Sequence, residues 1–115
     1  MNPTFLFIDV VDSTGRWQQQ PVSMLSDLEA FFGTIREIAD RNAGRVFKTV
    51  GDEACMVFDR PESATNCAKA LLEEDLGLPI RAGLATGEAT ERDGDYFGLG
   101  LSLVARLLSL SEPGR

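Results

Sequence analysis

Two aspartates, Asp9 and Asp52, are the residues of this 115-residue chain best placed to do chemistry. Asp9 lies near the end of the apolar run TFLFIDV at residues 4–10, and Asp52 lies in FKTVGDEACMVF, residues 47–58, where Lys48 stands four residues before the Asp52-Glu53 pair. A carboxylate at the end of a wholly apolar strand is costly unless it is paired or bound to a cation. Two hard oxygen ligands, with no histidine or cysteine in the set, suit Mg²⁺ or Mn²⁺, which keep several waters and complete their shell on a substrate phosphate. A plainer reading stands beside this one: Asp9 caps the following turn and Asp52 decorates a hairpin.

Composition narrows the chemistry further. The chain has no histidine, which removes imidazole bases, Cys-His and Ser-His dyads and the commonest zinc ligand. A net charge of −7 with scattered basic residues leaves no footprint for a nucleic-acid backbone, so a phosphate-bearing ligand would need a metal ion or backbone N–H groups. VVDSTG, with Asp12, Ser13 and Thr14, leads from the first strand towards a helical segment whose opening N–H groups favour phosphate oxygens, although the same residues form an ordinary N-cap cluster. Cys55 and Cys67 sit in apolar surroundings without a CxxC spacing and read as buried, reduced thiols. With no signal peptide and no apolar run near ~18 residues, the expected location is the cytoplasm, or a cytoplasmic part of something larger.

Those residues need elements to position them, and the length predicts one domain over 1–115. TFLFIDV reads as a central strand covered on both faces. Met24, Leu25, Leu28, Phe31, Phe32, Ile35, Ile38 and Ala39 recur at helical spacing, with Pro21 near the start and Gly44 as the stop. RVFKTV and EACMVF form a hairpin around Val50-Gly51-Asp52, and a second helix runs from about Pro61 to Asp75. LPIRAGLATGEA supplies a fourth strand, GEATERDGDYFG a Gly- and acid-rich loop, and a last helix is expected from about Leu99 to Leu110. The order predicts an α+β, ferredoxin-like (split βαβ) sheet with helices on one face plus an extra C-terminal helix. In that topology the first strand lies antiparallel beside the third, so Asp9 and Asp52 meet at one end of the sheet.

Three segments together resemble the class III nucleotidyl cyclase homology domain: TFLFIDVVDSTGRW its opening strand and phosphate loop, GRVFKTVGDEACMVF its central hairpin, and LPIRAGLATGEATERDGDYFGLGLSLVARLLSL its fourth strand and substrate-side helix. The resemblance covers nearly the whole chain. It implies a head-to-tail homodimer with two shared sites that convert ATP to 3′,5′-cyclic AMP and pyrophosphate. One protomer would hold two Mg²⁺ or Mn²⁺ ions through Asp9, Asp52 and the Val10 carbonyl. Its partner would read adenine through Lys48 and Asp95, a combination that favours ATP over GTP because lysine only donates and aspartate accepts. Arg106 matches the family's transition-state arginine, and Ser102, one helical turn before it, stands where the family carries a ribose-orienting asparagine. Glu53 receives no role and is read as solvated.

The chain also departs from that pattern. Serine at 102 predicts slower turnover, and Asp12 occupies a position that is commonly glycine, placing negative charge beside the triphosphate. The resemblance places a further strand, helix and strand, with a second phosphate-contacting lysine, beyond Arg115, so the 115-residue piece is expected to be a weak catalyst. The competing function is a catalytically degenerate cyclase domain acting as a nucleotide-binding or regulatory dimerisation module. A diguanylate cyclase, suggested by VGDEA, fits the other segments poorly, and a metal-free ferredoxin-like interaction module would bind no ATP.

Overall fold

A computed structural model of the protein describes residues 2–11, 13–74, 76–98 and 101. Its elements are β1 (Thr4–Val10), α1 (Ser13–Gln19), α2 (Pro21–Arg41), β2 (Gly44–Val50), β3 (Glu53–Phe58), α3 (Pro61–Glu73), β4 (Ile80–Thr86), β5 (Thr90–Arg92) and β6 (Asp95–Phe97). The main sheet has the order β2-β3-β1-β4. β1 is antiparallel to both neighbours, with Ile8 opposite Ala54 of β3 and opposite Ala82 of β4. This is the predicted split βαβ arrangement.

β1 is buried on both faces because apolar residues wait on each side. Leu6 and Ile8, with Ala54, Met56 and Phe58, meet Met24, Phe31 and Ile35 of α2 and Cys67 and Leu71 of α3. Phe5 and Phe7 face the other way with Cys55 and Val57, and there Phe47, Tyr96 and Leu101 pack against them. Both helices therefore cover one face. β5 and β6 form a separate two-stranded sheet where a loop was expected, and it is Tyr96 of β6 that reaches the second face. The turn joining the two strands is Asp93-Gly94, with φ of 53° and 82°, and positive φ at both central residues is what a two-residue mirror-image turn demands. Tyr96 anchors this hairpin, its ring lying edge-on to Phe5 at 5.4 Å and to Phe47 at 4.9 Å.

The central hairpin differs from expectation in two details that matter for the site. Val50 pairs with Glu53, so the turn contracts to Gly51-Asp52. The β2–β3 register also shifts between Val46 and Lys48, a bulge that sets Lys48 opposite Cys55. Without the extra residue Lys48 would fall opposite Ala54, on the helix-covered face; the bulge turns it to the other side.

α2 begins at Pro21 as predicted, but Gly44 is not its stop. The helix ends through Asn42, whose side-chain amide donates to the Ile38 carbonyl at 2.8 Å, and Ala43 adopts the left-handed conformation with φ 59°. Gly44 belongs to β2, and a Cβ there would overlap the Phe58 ring. α3 ends at Glu73, and of the last predicted helix only Leu101 is described, as helical.

Replacing Gly44 with alanine should therefore lower stability by about 1–3 kcal/mol through overpacking against Phe58. Urea unfolding should show a lower midpoint at unchanged slope. A change below about 0.5 kcal/mol, the scale of an ordinary surface substitution, would contradict this packing.

Candidate active site

The end of β1 gathers charge. Asp9 stands directly opposite Arg81 of β4, and the guanidinium grips both carboxylate oxygens: Nε donates to Oδ1 at 3.1 Å and Nη2 to Oδ2 at 2.9 Å. That bond holds the Arg81 guanidinium above its ordinary pKa. On the other flank, continuing the β1–β3 register past Ile8–Ala54 sets Asp9 opposite Glu53 and Val10 opposite Asp52. Glu53 is not solvated as expected but half-buried, and it accepts a hydrogen bond from the Cys55 thiol at 3.4 Å. Burial is the main cause that pushes the Glu53 carboxyl above the usual range, and the negative charges of Asp9 and Asp52 push it the same way.

A second cluster lies across the hairpin-covered face. Lys48, re-aimed by the bulge, donates to Asp95 Oδ2 at 3.1 Å, and the backbone N–H of Tyr96 donates to Asp95 Oδ1 at 2.8 Å. The Tyr96 N–H first, and Lys48 second, hold the Asp95 carboxyl below its ordinary pKa, so it stays an acceptor. The pair borders a pocket of about 320 Å³ lined also by Phe7, Phe47, Glu53 and Cys55. The hairpin carrying Asp95 is tied to β2, since Arg45 donates to Glu91 at 3.1 Å and to the Tyr96 hydroxyl at 2.9 Å.

The sequence-predicted residues thus fall into two groups. Asp9, Val10 and Asp52 share one end of the sheet, and Lys48 and Asp95 form the pocket pair. Ser13 opens α1, and Thr14 is exposed in its first turn. Asp12, Ser102 and Arg106 lie outside the described residues. Two residues were missed: Arg81, whose partner is visible only once the β1–β4 register is known, and Glu53, which continues Asp9's face on β3.

Asp9 and Asp52 supply hard oxygen donors of the kind Mg²⁺ and Mn²⁺ prefer, and they stand at the same end of the sheet. Their donor chemistry fits divalent ions. Among the described residues no group of three His, Cys, Asp or Glu side chains could hold a metal ion, so water and a ligand's phosphates would have to complete the shell.

The family model for the adenylate and guanylate cyclase catalytic domain matches residues 2–83, and the chain belongs to that family. An adenylate cyclase of Streptomyces coelicolor is 34% identical over 110 residues, covering 91% of this chain and 29% of its own length. Among solved structures, adenylate cyclases of Trypanosoma brucei in their monomeric state match with a TM-score of 0.88 at 21% identity, covering 98% of this chain and 69% of theirs. The monomeric guanylyl cyclase domain of a fusion protein from the aquatic fungus Blastocladiella emersonii matches at 0.89 and 23% identity, over 98% of this chain and 77% of that one. The chain spans between 14% and 40% of the length of the curated relatives it matches. No helix among the described residues is long and apolar enough to cross a membrane.

Both cysteines are free and buried. Burial first, then Glu53, pushes the Cys55 thiol from its ordinary 9.0 up to about 12, and burial pushes Cys67 to about 11. Because the fold favours the protonated thiols, their contribution to stability is intact below pH 9.0 and falls away as pH rises towards 12. At pH 8 both should alkylate about 100-fold or more slowly than a free thiol, since the thiolate is the nucleophile. Mass spectrometry after iodoacetamide treatment checks this, and rapid native labelling of Cys55 would contradict it.

Proposed function

We propose that two copies of this chain pair head to tail and convert ATP to 3′,5′-cyclic AMP and pyrophosphate at sites shared between them. The observation that carries this reading is the Lys48–Asp95 pair over its pocket, a fixed donor beside a fixed acceptor. Lys48 can donate to N1 of adenine and Asp95 can accept from the exocyclic amine, whereas guanine offers a protonated N1 and a carbonyl at those positions. Supporting the metal half, Asp9, Asp52 and the Val10 carbonyl lie at one sheet end and would hold two divalent ions from the other protomer.

The reaction is an in-line displacement: the ribose 3′-oxygen bonds to the α-phosphorus while the bond to pyrophosphate breaks. Divalent ions, when bound, ease deprotonation of the 3′-hydroxyl and neutralise charge on the phosphate oxygens. In this reading Arg106 meets the charge that builds on the α-phosphate, Ser102 orients the ribose, and the residues Asp12, Ser13 and Thr14 meet the triphosphate. The nucleotide-binding or regulatory dimer without turnover remains the second reading. It is favoured by Arg81, which occupies both oxygens of Asp9, and by serine at 102.

The test is cyclic AMP formation by the purified chain with ATP and Mn²⁺. We expect product that falls on the order of 100-fold in Asp52→Asn, with Lys48→Glu lowering the preference for ATP over GTP by a similar factor. A dimer that binds ATP yet forms no product, even with Ser102→Asn, would replace the catalytic reading with the regulatory one.

A further inference from the structure

Arg81 is the charged neighbour of Asp9 that the reaction as proposed does not use. The two are directly opposite across β1 and β4, and the fork takes both carboxylate oxygens at 3.1 and 2.9 Å. The Asp9 side chain is only 16% exposed and that of Arg81 31%, so both charges have given up much of their water and compensate each other. Glu53 across the other strand and Asp52 at the turn add negative charge to the same sheet end, and the electrostatics of Arg81 include Asp52 as well as Asp9.

A cation arriving at Asp9 meets that arrangement in two ways. It needs an oxygen lone pair on a carboxylate whose two oxygens are already accepting hydrogen bonds. It also brings positive charge close to a guanidinium that is never deprotonated in a protein. The ion pair and a bound divalent ion therefore draw on the same carboxylate, and each is weakened by the other.

We propose that Arg81 is a resident counter-cation that sets the metal affinity of this site: it keeps Asp9 neutralised and oriented without metal, and divalent-ion binding must loosen or displace its grip. The inference rests on the reading that Asp9 and Asp52 take divalent ions. Arg81 is in this sense a positioning residue, acting on the metal through Asp9. Its removal has two linked consequences. The metal-free protein loses stability, because a largely buried carboxylate is left unpaired. Divalent ions then bind more tightly, because they no longer compete with the guanidinium and they relieve that unpaired charge. A residue that served only to hold the fold together would produce the first effect without the second.

The test measures Mn²⁺ alone, without nucleotide, by the electron paramagnetic resonance of free Mn²⁺, together with thermal melting in EDTA and in Mn²⁺. The 115-residue chain is compared with Arg81→Gln, Arg81→Lys and Asp52→Asn. Arg81→Gln should melt lower in EDTA, bind Mn²⁺ on the order of 10-fold more tightly, and gain more from Mn²⁺ in the melt than the parent chain. Arg81→Lys keeps the charge but loses the fork; it should fold if Arg81→Gln does not, and should bind Mn²⁺ a few-fold more tightly than the parent. Unchanged or weaker Mn²⁺ binding in the foldable Arg81 variants, while the parent binds Mn²⁺ and Asp52→Asn does not, overturns the role of Arg81 and leaves the metal reading standing. Absence of Mn²⁺ binding in the parent and in every Arg81 variant overturns both.

Discussion

Burial of β1 on both faces is the constraint from which the rest of the architecture follows. A strand with Phe5, Leu6 and Ile8 fully enclosed must lie inside the sheet, with helices on one side and further apolar cover on the other. Its last residues then bring Asp9 into a place where water alone does not satisfy it. The fold answers with Arg81 on one neighbouring strand, while the turn from β2 into β3 sets Asp52 against the other. Charge collects at that sheet end because the apolar interior excludes it from everywhere else along the strand.

The apolar cover on the second face has a further effect. Tyr96 seals Phe5 and Phe47, and in doing so carries Asp95 to the rim of the same pocket that the β2 bulge opens to Lys48. Core packing and the placement of Asp95 are thus coupled: the residue whose ring packs on Phe5 also holds the Asp95 carboxylate through its backbone N–H. Glu53 sits between the two clusters, lining the pocket with Lys48 and standing on Asp9's face at the sheet end. Its raised pKa reflects burial first and the charge of both aspartates after that. In the proposed reading, one chain thus carries the metal side, Asp9 and Asp52, and the base side, Lys48 and Asp95, on a single sheet.

The main sheet and α2 and α3 were legible in the sequence because apolar period and turn residues agree there: TFLFIDV is too uniformly apolar for an edge strand, and the α2 stripe from Met24 to Ala39 keeps helical spacing. The β5–β6 hairpin was not, since its three-residue strands show no alternation and only Asp93-Gly94 signals the turn. Gly44 was misread for a related reason. A glycine after a helix usually supplies the left-handed cap, but Ala43 does so here, and the glycine is needed for contact with Phe58. The resemblance to the cyclase family brought out Lys48 and Asp95, but the bulge that makes their contact possible has no sequence signature. Arg81 was hidden because a strand alternation shows which face a residue takes and not which partner lies opposite.

In the proposed reading, the metal half and the base half carried by one chain serve different sites. In that reading Asp52→Asn disables the metal half and Lys48→Ala the base half, and each variant alone should lose activity with ATP and Mn²⁺ on the order of 100-fold. Co-refolded in equal amounts, they should recover roughly a quarter of the parent activity, because about half of the dimers are mixed and each mixed dimer has one intact site of two. No recovery in mixtures shown by mass to contain the mixed dimer would contradict the claim that the site is built from both chains.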